Sequence, residues 1–239
     1  MKKHREQLSL FIAEGEKVIE QLLFSFELEL LLVNESVDPS STNLLNQISS
    51  EKIRSIESKL MRNLSELESR HDFIAIFKKK ESPTLPTKIN DLCLGLEALQ
   101  NPGNMGTLIR LCDWLGIKSI LCSKGCVDPY SPKVVQATAG ALGNVTIYQD
   151  IDFPQQLPLL FDQVVGTTLS GSNHLDYTPP SDSTIILFGN EGNGLSDKTL
   201  SICKENLSIF PAKSTISESL NVSLSAAILL SHLKQQTNS

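Results

Sequence analysis

The chain has 239 residues, enough for one large domain or two small ones with a buried core. No run approaches the roughly 18 apolar residues that a membrane-spanning helix needs. The formal net charge is −6, from 21 basic and 27 acidic residues, which argues against a surface generally coated with positive charge for nucleic acid. Local basic patches remain compatible with RNA binding, because local charge matters more than the total.

Five cysteines and four histidines are scattered along the chain. The odd number of cysteines and the lack of a Cys-x-x-Cys pair indicate reduced thiols, as in a cytoplasmic protein. The apolar stretch 8–13 is short and runs into Glu14, so we expect no secretion signal. No cluster of histidine and cysteine has the spacing of metal ligands, and we expect no metal site.

A proline-containing segment, residues 81–87, divides the sequence. Two prolines with small polar neighbours are typical of a short stiff linker. Every glycine except Gly15 lies after it, which indicates that the tight turns are concentrated in the second part. We therefore predict two domains, residues 1–82 and 88–239.

The first part predicts a small α/β unit. Its expected elements are strands at 10–13, 28–33 and 73–77 and a helix at 16–23. A further helix is predicted from the helical spacing of five apolar residues: Ile53, Ile56, Leu60, Leu64 and Leu67. The serine-rich region 35–50 predicts a loop or a short helix.

Three groups of basic residues are candidate sites for nucleic-acid phosphates. They are residues 2–5, the run 78–80, and the set Lys52, Arg54, Lys59 and Arg62. Each group, taken alone, is more typical of a solvated surface.

The second part alternates strands and helices. Strands are predicted at 91–96, 119–122, 145–148, 163–167, 184–188 and 207–210, and helices at 105–115, 132–142, 197–204 and 220–234. This βαβ alternation predicts a parallel sheet with helices on both faces. In such sheets ligands bind at the carboxyl ends of the strands, where three polar loops follow predicted strands.

The first loop follows the strand that ends at Leu96. Pro102 and Gly103 force a turn, and Asn104 is a suitable N-cap for the next helix. Arg110 falls off the apolar stripe of that helix, near its N-terminal turn. A helix N-terminus with an arginine one turn along can meet a phosphate or a developing oxyanion, although an ordinary exposed arginine explains the pattern as well.

The second loop, residues 188–196, contains three glycines whose backbone amides could approach a ligand closely. Their spacing is Gly-x-x-Gly-x-Gly, so the dinucleotide fingerprint is not present, and the sequence has no Walker A motif. The third loop, 210–223, opens the last helix. Helix capping accounts for Ser217 or Ser219 but not for Asn221, a poor helix former near the first turn.

Together these loops resemble the signature motifs of the SpoU/TrmH branch of the SPOUT methyltransferases. The first motif is 101–106 with Arg110, the second is 187–192 with 194–196, and the third runs from Pro211 to Ser223. The resemblance covers roughly residues 88–234, and three ordered motifs are a specific signal. Residues 11–18 are similar to the substrate-binding domain that precedes the catalytic domain in many members.

The resemblance implies an α/β catalytic domain with a C-terminal trefoil knot, at 88–239, preceded by an RNA substrate-binding domain at 1–82. It implies S-adenosylmethionine as cofactor, rRNA or tRNA as substrate, and a homodimer. By position, the family's active-site residues correspond to Asn104, Arg110, Glu191, Ser219 and Asn221. Its cofactor-binding positions correspond to Thr168, Gly189, Asn190, Phe210 and Leu220.

Three positions depart from the family pattern. Asn101 stands where the family often has aspartate, and Phe210 replaces a usual aliphatic residue. The segment 212–218 has no glycine and is one residue longer than in common relatives. The last two departures lie at the implied cofactor pocket and alter its shape.

The implied reaction is methyl transfer from a sulfonium to a ribose 2′-oxygen. In this family the arginine is often discussed as a base. Because a guanidinium holds its proton tightly, we instead expect Arg110 to clamp a phosphate or the developing alkoxide. Asn104, Ser219 and Asn221 would position the ribose, and Glu191 would orient either Arg110 or the loop. The alternatives are a non-catalytic RNA-binding protein on the same scaffold and a Rossmann-type nucleotide-binding enzyme.

Overall fold

The computed structural model describes residues 2–65 and 72–237. The chain divides into two compact units. Unit 1 comprises Met1–Glu81 and Asp128–Asn144, and unit 2 comprises Ser82–Val127 and Val145–Ser239. Within the described ranges, no helix combines the length and the apolar character needed to cross a membrane.

Unit 1 is built on a four-stranded mixed sheet. Its elements up to the linker are α1 (Lys2–Leu8), β1 (Leu10–Glu14), α2 (Glu16–Leu23), β2 (Leu28–Asn34), β3 (Ile53–Ile56), α3 (Ser58–Leu64) and β4 (Phe73–Lys78). The strand order is β1-β4-β2-β3, with β4 antiparallel to both neighbours and β3 parallel to β2. The predicted strands at 10–13, 28–33 and 73–77 and the helix at 16–23 are confirmed. Three short 3₁₀ helices, Pro39–Ser41, Leu44–Gln47 and Ser50–Lys52, occupy the serine-rich region.

The helix predicted from the spacing of Ile53 to Leu67 is wrong at its start. Residues 53–56 form strand β3, because they pair in parallel with residues 31–34 of β2. The helix α3 that follows buries Met61, whereas Leu60 and Leu64 are each 47% exposed. Leu67 lies outside the described residues. The spacing of Ile53 and Ile56 matches a helix, but their pairing with β2 takes them into the sheet, so tertiary contacts override the local pattern.

The rest of the chain supplies a six-stranded sheet and its helices. The elements are β5 (Leu92–Leu96), α4 (Pro102–Leu115), β6 (Ser119–Ser123), α5 (Pro132–Ala137), β7 (Thr146–Ile151), α6 (Phe153–Leu160), β8 (Gln163–Asn173), β9 (Thr184–Phe188), α7 (Asp197–Leu200), β10 (Glu205–Ser208) and α8 (Val222–Thr237). All of these except α5 belong to unit 2. The strand order is β10-β8-β9-β5-β6-β7, and every pairing is parallel. The predicted parallel sheet is therefore confirmed.

The segment Asp128–Asn144 clusters with unit 1, although the sequence placed it within the domain 88–239. Charge and aromatic packing explain this difference. Arg5 forms a salt bridge with Asp128 at 2.7 Å, and both side chains are largely buried. The ring of Tyr130 lies 5.2 Å from that of Phe11, which is fully buried in the core of unit 1. The functional assignment of residues 1–82 and 88–239 stays a prediction.

Several element bounds in unit 2 and in the segment 128–144 differ from expectation. The helix predicted at 132–142 ends at Ala137, and the one predicted at 197–204 ends at Leu200. The last strand lies at Glu205–Ser208 because Leu207 is buried beside β8, which leaves Phe210 60% exposed beyond the strand. Helix α6 was not predicted, because prolines at 154 and 158 are unusual in a helix. Its N-cap is Asp152, whose carboxylate accepts from the Gln155 amide.

The central strands β5 and β9 bring two polar loops to one edge of the sheet. Leu96 pairs with Phe188, the last residue of each strand, and the Glu97 amide donates to the Phe188 carbonyl at 2.9 Å. Gly95 allows this close packing, because a Cβ there would lie 2.3 Å from the Leu187 side chain. On one face of the sheet, α6 packs Phe153 and Leu157 into the core. The loops that follow β5 and β9 are thus neighbours.

Candidate active site

The first loop delivers Asn104 to the N-terminal turn of α4. The helix begins at Pro102, and its N-cap is Asn101, whose side-chain oxygen accepts from the Asn104 amide at 3.1 Å. The prediction that Asn104 is itself the N-cap is therefore wrong by three positions. Proline at the first helical position costs no hydrogen bond, because that amide would have no partner in the helix. As a result the side chain of Asn104 is free for other contacts.

The second loop is held in shape by Asn190. Its backbone exchanges two hydrogen bonds with Gly194, at 3.0 and 2.9 Å. Its side-chain oxygen accepts from the amides of Gly192 and Asn193, and its side-chain nitrogen donates to the Ala98 carbonyl. Gly189 is required where the loop closes, because a Cβ there would lie 2.0 Å from a backbone atom of Gly194. The loop therefore presents Glu191 at its exposed tip.

The carboxylate of Glu191 binds the first loop. It accepts from the side-chain nitrogen of Asn104 at 3.2 Å, and from the backbone amides of Asn101 at 3.2 Å and Gln100 at 3.4 Å. Burial raises the pKa of this carboxyl, but the hydrogen bonds from its own amide, from Asn104 and from the first loop together lower the pKa below its ordinary value. Glu191 is therefore a carboxylate near neutral pH.

The third loop brings Asn221 to the same place. Its side-chain nitrogen donates to the side-chain oxygen of Asn104 at 3.1 Å, and its own side-chain oxygen accepts from the Ser223 amide at 2.9 Å. The second bond is the N-cap pattern for α8, so Asn221 caps the helix that it precedes. The sequence-based expectation that capping would fall to Ser217 or Ser219 is wrong. The hydroxyl of Ser223 also approaches the Asn104 carbonyl, at 3.4 Å.

Asn104 is thus the shared partner of Glu191 and Asn221, and the structure brings together three of the five predicted active-site residues. Arg110 is exposed on α4, and Ser219 is exposed in the extended loop that precedes α8. Within the described part of the chain, neither residue has a hydrogen bond to the other three. Asn104, Glu191 and Asn221 are called the Asn104 cluster below.

The predicted cofactor-binding positions lie around the same loops. Gly189 and Asn190 are in the second loop, and Thr168 is a half-buried residue of β8. Phe210 and Leu220 are 60% and 48% exposed in the loop that leads to α8. The sequence reasoning missed Glu97, whose carboxylate accepts three hydrogen bonds from the start of α7. A glutamate directly after a buried strand was the signal that could have found it.

Comparisons with known proteins match both parts of the chain. The family model described as the SpoU rRNA Methylase family matches residues 91–231, and the MRM3-like substrate binding domain matches residues 1–75. The 23S rRNA (guanosine(2553)-2′-O)-methyltransferase RlmP of Bacillus subtilis is 28% identical over 244 residues, which cover 98% of this chain and 92% of that protein.

Two solved structures share the fold. The AdoMet-bound rRNA methyltransferase from Sinorhizobium meliloti superposes with a TM-score of 0.84 at 25% identity, covering 98% of this chain and 90% of that one. The SpoU methyltransferase AviRb from Streptomyces viridochromogenes has a TM-score of 0.87 at 22% identity, covering 100% and 94%. The resemblance and the fold class predicted from the sequence are confirmed: the chain belongs to the SpoU rRNA methylase family.

Proposed function

We propose that this member of the SpoU family transfers a methyl group from S-adenosylmethionine to a ribose 2′-hydroxyl of rRNA or tRNA. The observation that carries the proposal is the Asn104 cluster, in which three motif residues from three loops meet at the carboxyl ends of parallel strands. RlmP, which aligns with nearly the whole chain, is named as a 2′-O-methyltransferase of 23S rRNA. The Sinorhizobium structure is described as AdoMet bound.

Asn104, Ser219 and Asn221 would position the ribose. Their side chains carry both donors and acceptors, which suits the hydroxyls of a sugar. A nucleophile held in line with the methyl group gains rate because orientation is established before the reaction. Asn104 is already fixed from two sides, by Glu191 and Asn221, so little freedom is lost when the substrate binds.

Arg110 would clamp a phosphate or the alkoxide that develops on the 2′-oxygen. It is exposed, and no hydrogen bond or ion pair to another described residue engages its guanidinium. Five N–H donors in a rigid fork match a phosphate, and a positive charge lowers the cost of a negative oxygen. A guanidinium is a poor base, so the proton of the 2′-hydroxyl passes to another acceptor.

Glu191 would hold the first loop in place. Its carboxylate accepts from Asn104 and from the amides of Gln100 and Asn101, and these bonds leave Arg110 untouched. Of the two roles expected for Glu191, orienting the loops therefore has the structural support.

The residues around the loops suit S-adenosylmethionine. Phe210 and Leu220 offer exposed apolar surface for an adenine ring. Gly189 lets the second loop close on its own backbone at Gly194, which fixes the shape that the loop presents to a ligand. Thr168 and Asn190 would complete the cofactor set. When bound, the cofactor supplies a sulfonium-activated methyl group. The protein residues would bind it, exclude water and hold the ribose.

Unit 1 would select the RNA, because the model for an MRM3-like substrate binding domain matches residues 1–75. The run 78–80 was expected to contact phosphate as a whole. Lys78, however, is paired with Glu27 at 2.6 Å and Glu29 at 3.7 Å, so its charge is offset within the protein. Lys79 and Lys80 are the remaining candidates, and each of them also lies over an aromatic ring of unit 1.

A homodimer is supported by exposed apolar side chains on two helices that contact each other, α4 and α8. Trp114 is 87% exposed, and Leu224 and Ile228, one turn apart on α8, are 58% and 42% exposed. Large exposed apolar groups of this kind are typical of a surface that another protein covers. The trefoil knot and the cytoplasmic location stay predictions from the sequence.

Calorimetry with S-adenosylmethionine and S-adenosylhomocysteine, beside NAD and ATP, tests the cofactor. Selective binding of the first two is the expected result, and binding of NAD or ATP instead would favour a Rossmann-type enzyme. Incubation with labelled cofactor and rRNA or tRNA, followed by nucleoside analysis, tests the reaction. A 2′-O-methylated nucleoside is expected. RNA binding without methyl transfer would favour the non-catalytic alternative.

A further inference from the structure

Glu97 lies directly after β5 and binds the segment that follows the second loop. One of its carboxylate oxygens accepts from the Ser196 amide at 2.8 Å. The other accepts from the hydroxyls of Ser196 and Thr199, each at 2.7 Å. Thr199 is fully buried, and Ser196 is the N-cap of α7. Such charge-assisted bonds are short and stronger than bonds between neutral groups.

The residue that follows Glu97 ties the same loops a second time. The Ala98 carbonyl accepts from the side-chain nitrogen of Asn190 at 2.9 Å, and the Ala98 amide donates to the Ser123 hydroxyl. Ala98 has a φ of 51°, a left-handed conformation that an L residue adopts only when its surroundings enforce it. Glu97 and Asn190 therefore fasten both ends of the part of the second loop that follows β9, residues 189–196, to the end of β5.

We infer that Glu97 is a positioning residue for the methyl transfer, which sets the second loop in the arrangement that binds S-adenosylmethionine. This inference rests on the proposed function. The second loop carries Gly189 and Asn190, proposed to hold the cofactor, and Glu191, which holds Asn104. Among the described residues, the hydrogen bonds of the Glu97 carboxylate go to Ser196 and Thr199 and not to the residues 189–191, so its effect on the reaction passes through the Ser196 end of the loop.

A population argument gives the size of the effect. Without the Glu97 carboxylate the second loop would occupy its binding arrangement only part of the time. The apparent affinity for the cofactor would then equal the intrinsic affinity multiplied by the fraction of molecules in that arrangement. At saturating cofactor the binding energy restores the arrangement. Glu97→Ala should therefore raise the KM for S-adenosylmethionine about tenfold and leave kcat within about twofold.

Two further variants make the test specific. Glu97→Gln keeps an oxygen for the Ser196 amide and adds an amide group that can donate to both hydroxyls, so its KM should stay within about threefold of the unmodified protein. Asp197→Asn is the matched control, because it makes the same chemical change one residue from Ser196. Asp197 is exposed and lies outside this network, so the control should behave as the unmodified protein.

Amide hydrogen exchange provides a measurement that does not depend on activity. In Glu97→Ala the peptide 189–196 should exchange faster, while β1 and β4 of unit 1 keep their protection. An unchanged KM would overturn the inference. So would a rise in KM accompanied by an equal fall in kcat and a general loss of protection, because that pattern shows a merely structural role. If Glu97→Ala does not fold, Thr199→Val removes one of the three bonds, and an unchanged KM there overturns the inference.

Failure of the two proposals can be told apart. If the unmodified protein neither binds S-adenosylmethionine nor methylates RNA, the proposed function fails. Faster exchange of 189–196 in Glu97→Ala would then still support the positioning of the loop by Glu97, and unchanged exchange would overturn it.

Discussion

The side-chain amide of Asn221 donates a hydrogen bond to the side-chain oxygen of Asn104, 3.1 Å away, although 117 positions separate them in the sequence. Asn104 donates in turn to Glu191 at 3.2 Å. The three loops are therefore connected in series through one amide, and the orientation of that amide is set by a carboxylate on one side and an amide nitrogen on the other. The planar side-chain amide offers its donor nitrogen to one partner and its acceptor oxygen to the other.

Replacing Asn104 with alanine should therefore disconnect the Asn104 cluster. We expect kcat/KM for RNA methylation to fall by on the order of 100-fold, because positioning groups lose rate steeply when geometry loosens. Asn104→Asp keeps the acceptor for Asn221 but places a second carboxylate against Glu191, and should be at least as damaging. Single-turnover methylation measures both effects.

Thr107→Ala is the matched control for these variants. Thr107 is exposed on the same helix and lies one turn further along α4. Its loss should leave kcat/KM within about twofold, as is usual for surface substitutions. A rate for Asn104→Ala close to that of the control would show that the cluster is structural only.

Arg110→Lys tests the clamp. Lysine keeps the positive charge but not the planar fork, so two parallel bonds to a phosphate or an oxyanion become one. We expect kcat to fall by roughly 100-fold, the scale on which loss of one oxyanion donor acts. Cofactor affinity, measured by calorimetry, should not change. Turnover close to that of the unmodified protein would rule out the clamp.

The sequence predicted the features that depend on local contacts and missed those that depend on contacts between distant residues. The strand at 184–188 was predicted to the residue, because an unbroken apolar run bounded by turn residues has few alternatives. The start of α4 was misplaced by three residues, because Asn101 and Asn104 are both acceptable caps and only the proline at 102 decides between them. The bonds from Asn104 to Glu191 and Asn221 were beyond reach, since they depend on how strands β5 and β9 and helix α8 are placed in three dimensions.

Charge reversal of Lys79 and Lys80 tests the RNA-binding patch in unit 1. We expect Lys79→Glu with Lys80→Glu to weaken RNA binding and to reduce the slope of log K against log salt by about 1 to 2, because each lysine that neutralises a phosphate adds about 1 to that slope. Lys198→Glu makes the same change on an exposed residue of α7 and should alter the slope less. Filter binding at several salt concentrations measures the slope. An unchanged slope in the double variant would exclude this patch.

Sedimentation velocity tests the dimer surface. Trp114→Ser and Ile228→Lys remove apolar area or place a charge there, so a dimer formed through α4 and α8 should dissociate to the monomer. Phe24→Ser is the matched control, because Phe24 is 83% exposed but belongs to unit 1. If Phe24→Ser lowered the sedimentation coefficient and the other two variants left it unchanged, the interface would lie elsewhere.

The raised pKa of Tyr130 predicts that the free energy of unfolding falls at alkaline pH. Burial, assisted by the negative charge of Asp128, raises the pKa of its phenol from 10.0 to about 12. The folded state therefore holds the proton more tightly than the unfolded state, so this contribution is complete below pH 10 and is lost as pH rises from there towards 12. Between pH 9 and 11 the loss should be about 1 kcal/mol of unfolding free energy.

In Tyr130→Phe this part of the pH dependence should disappear, whereas Tyr148→Phe, which removes a less buried phenol, should abolish less of it. Urea titrations at the two pH values measure the difference, and equal losses in the unmodified protein and Tyr130→Phe would show that the phenol has the same pKa in the folded and unfolded states.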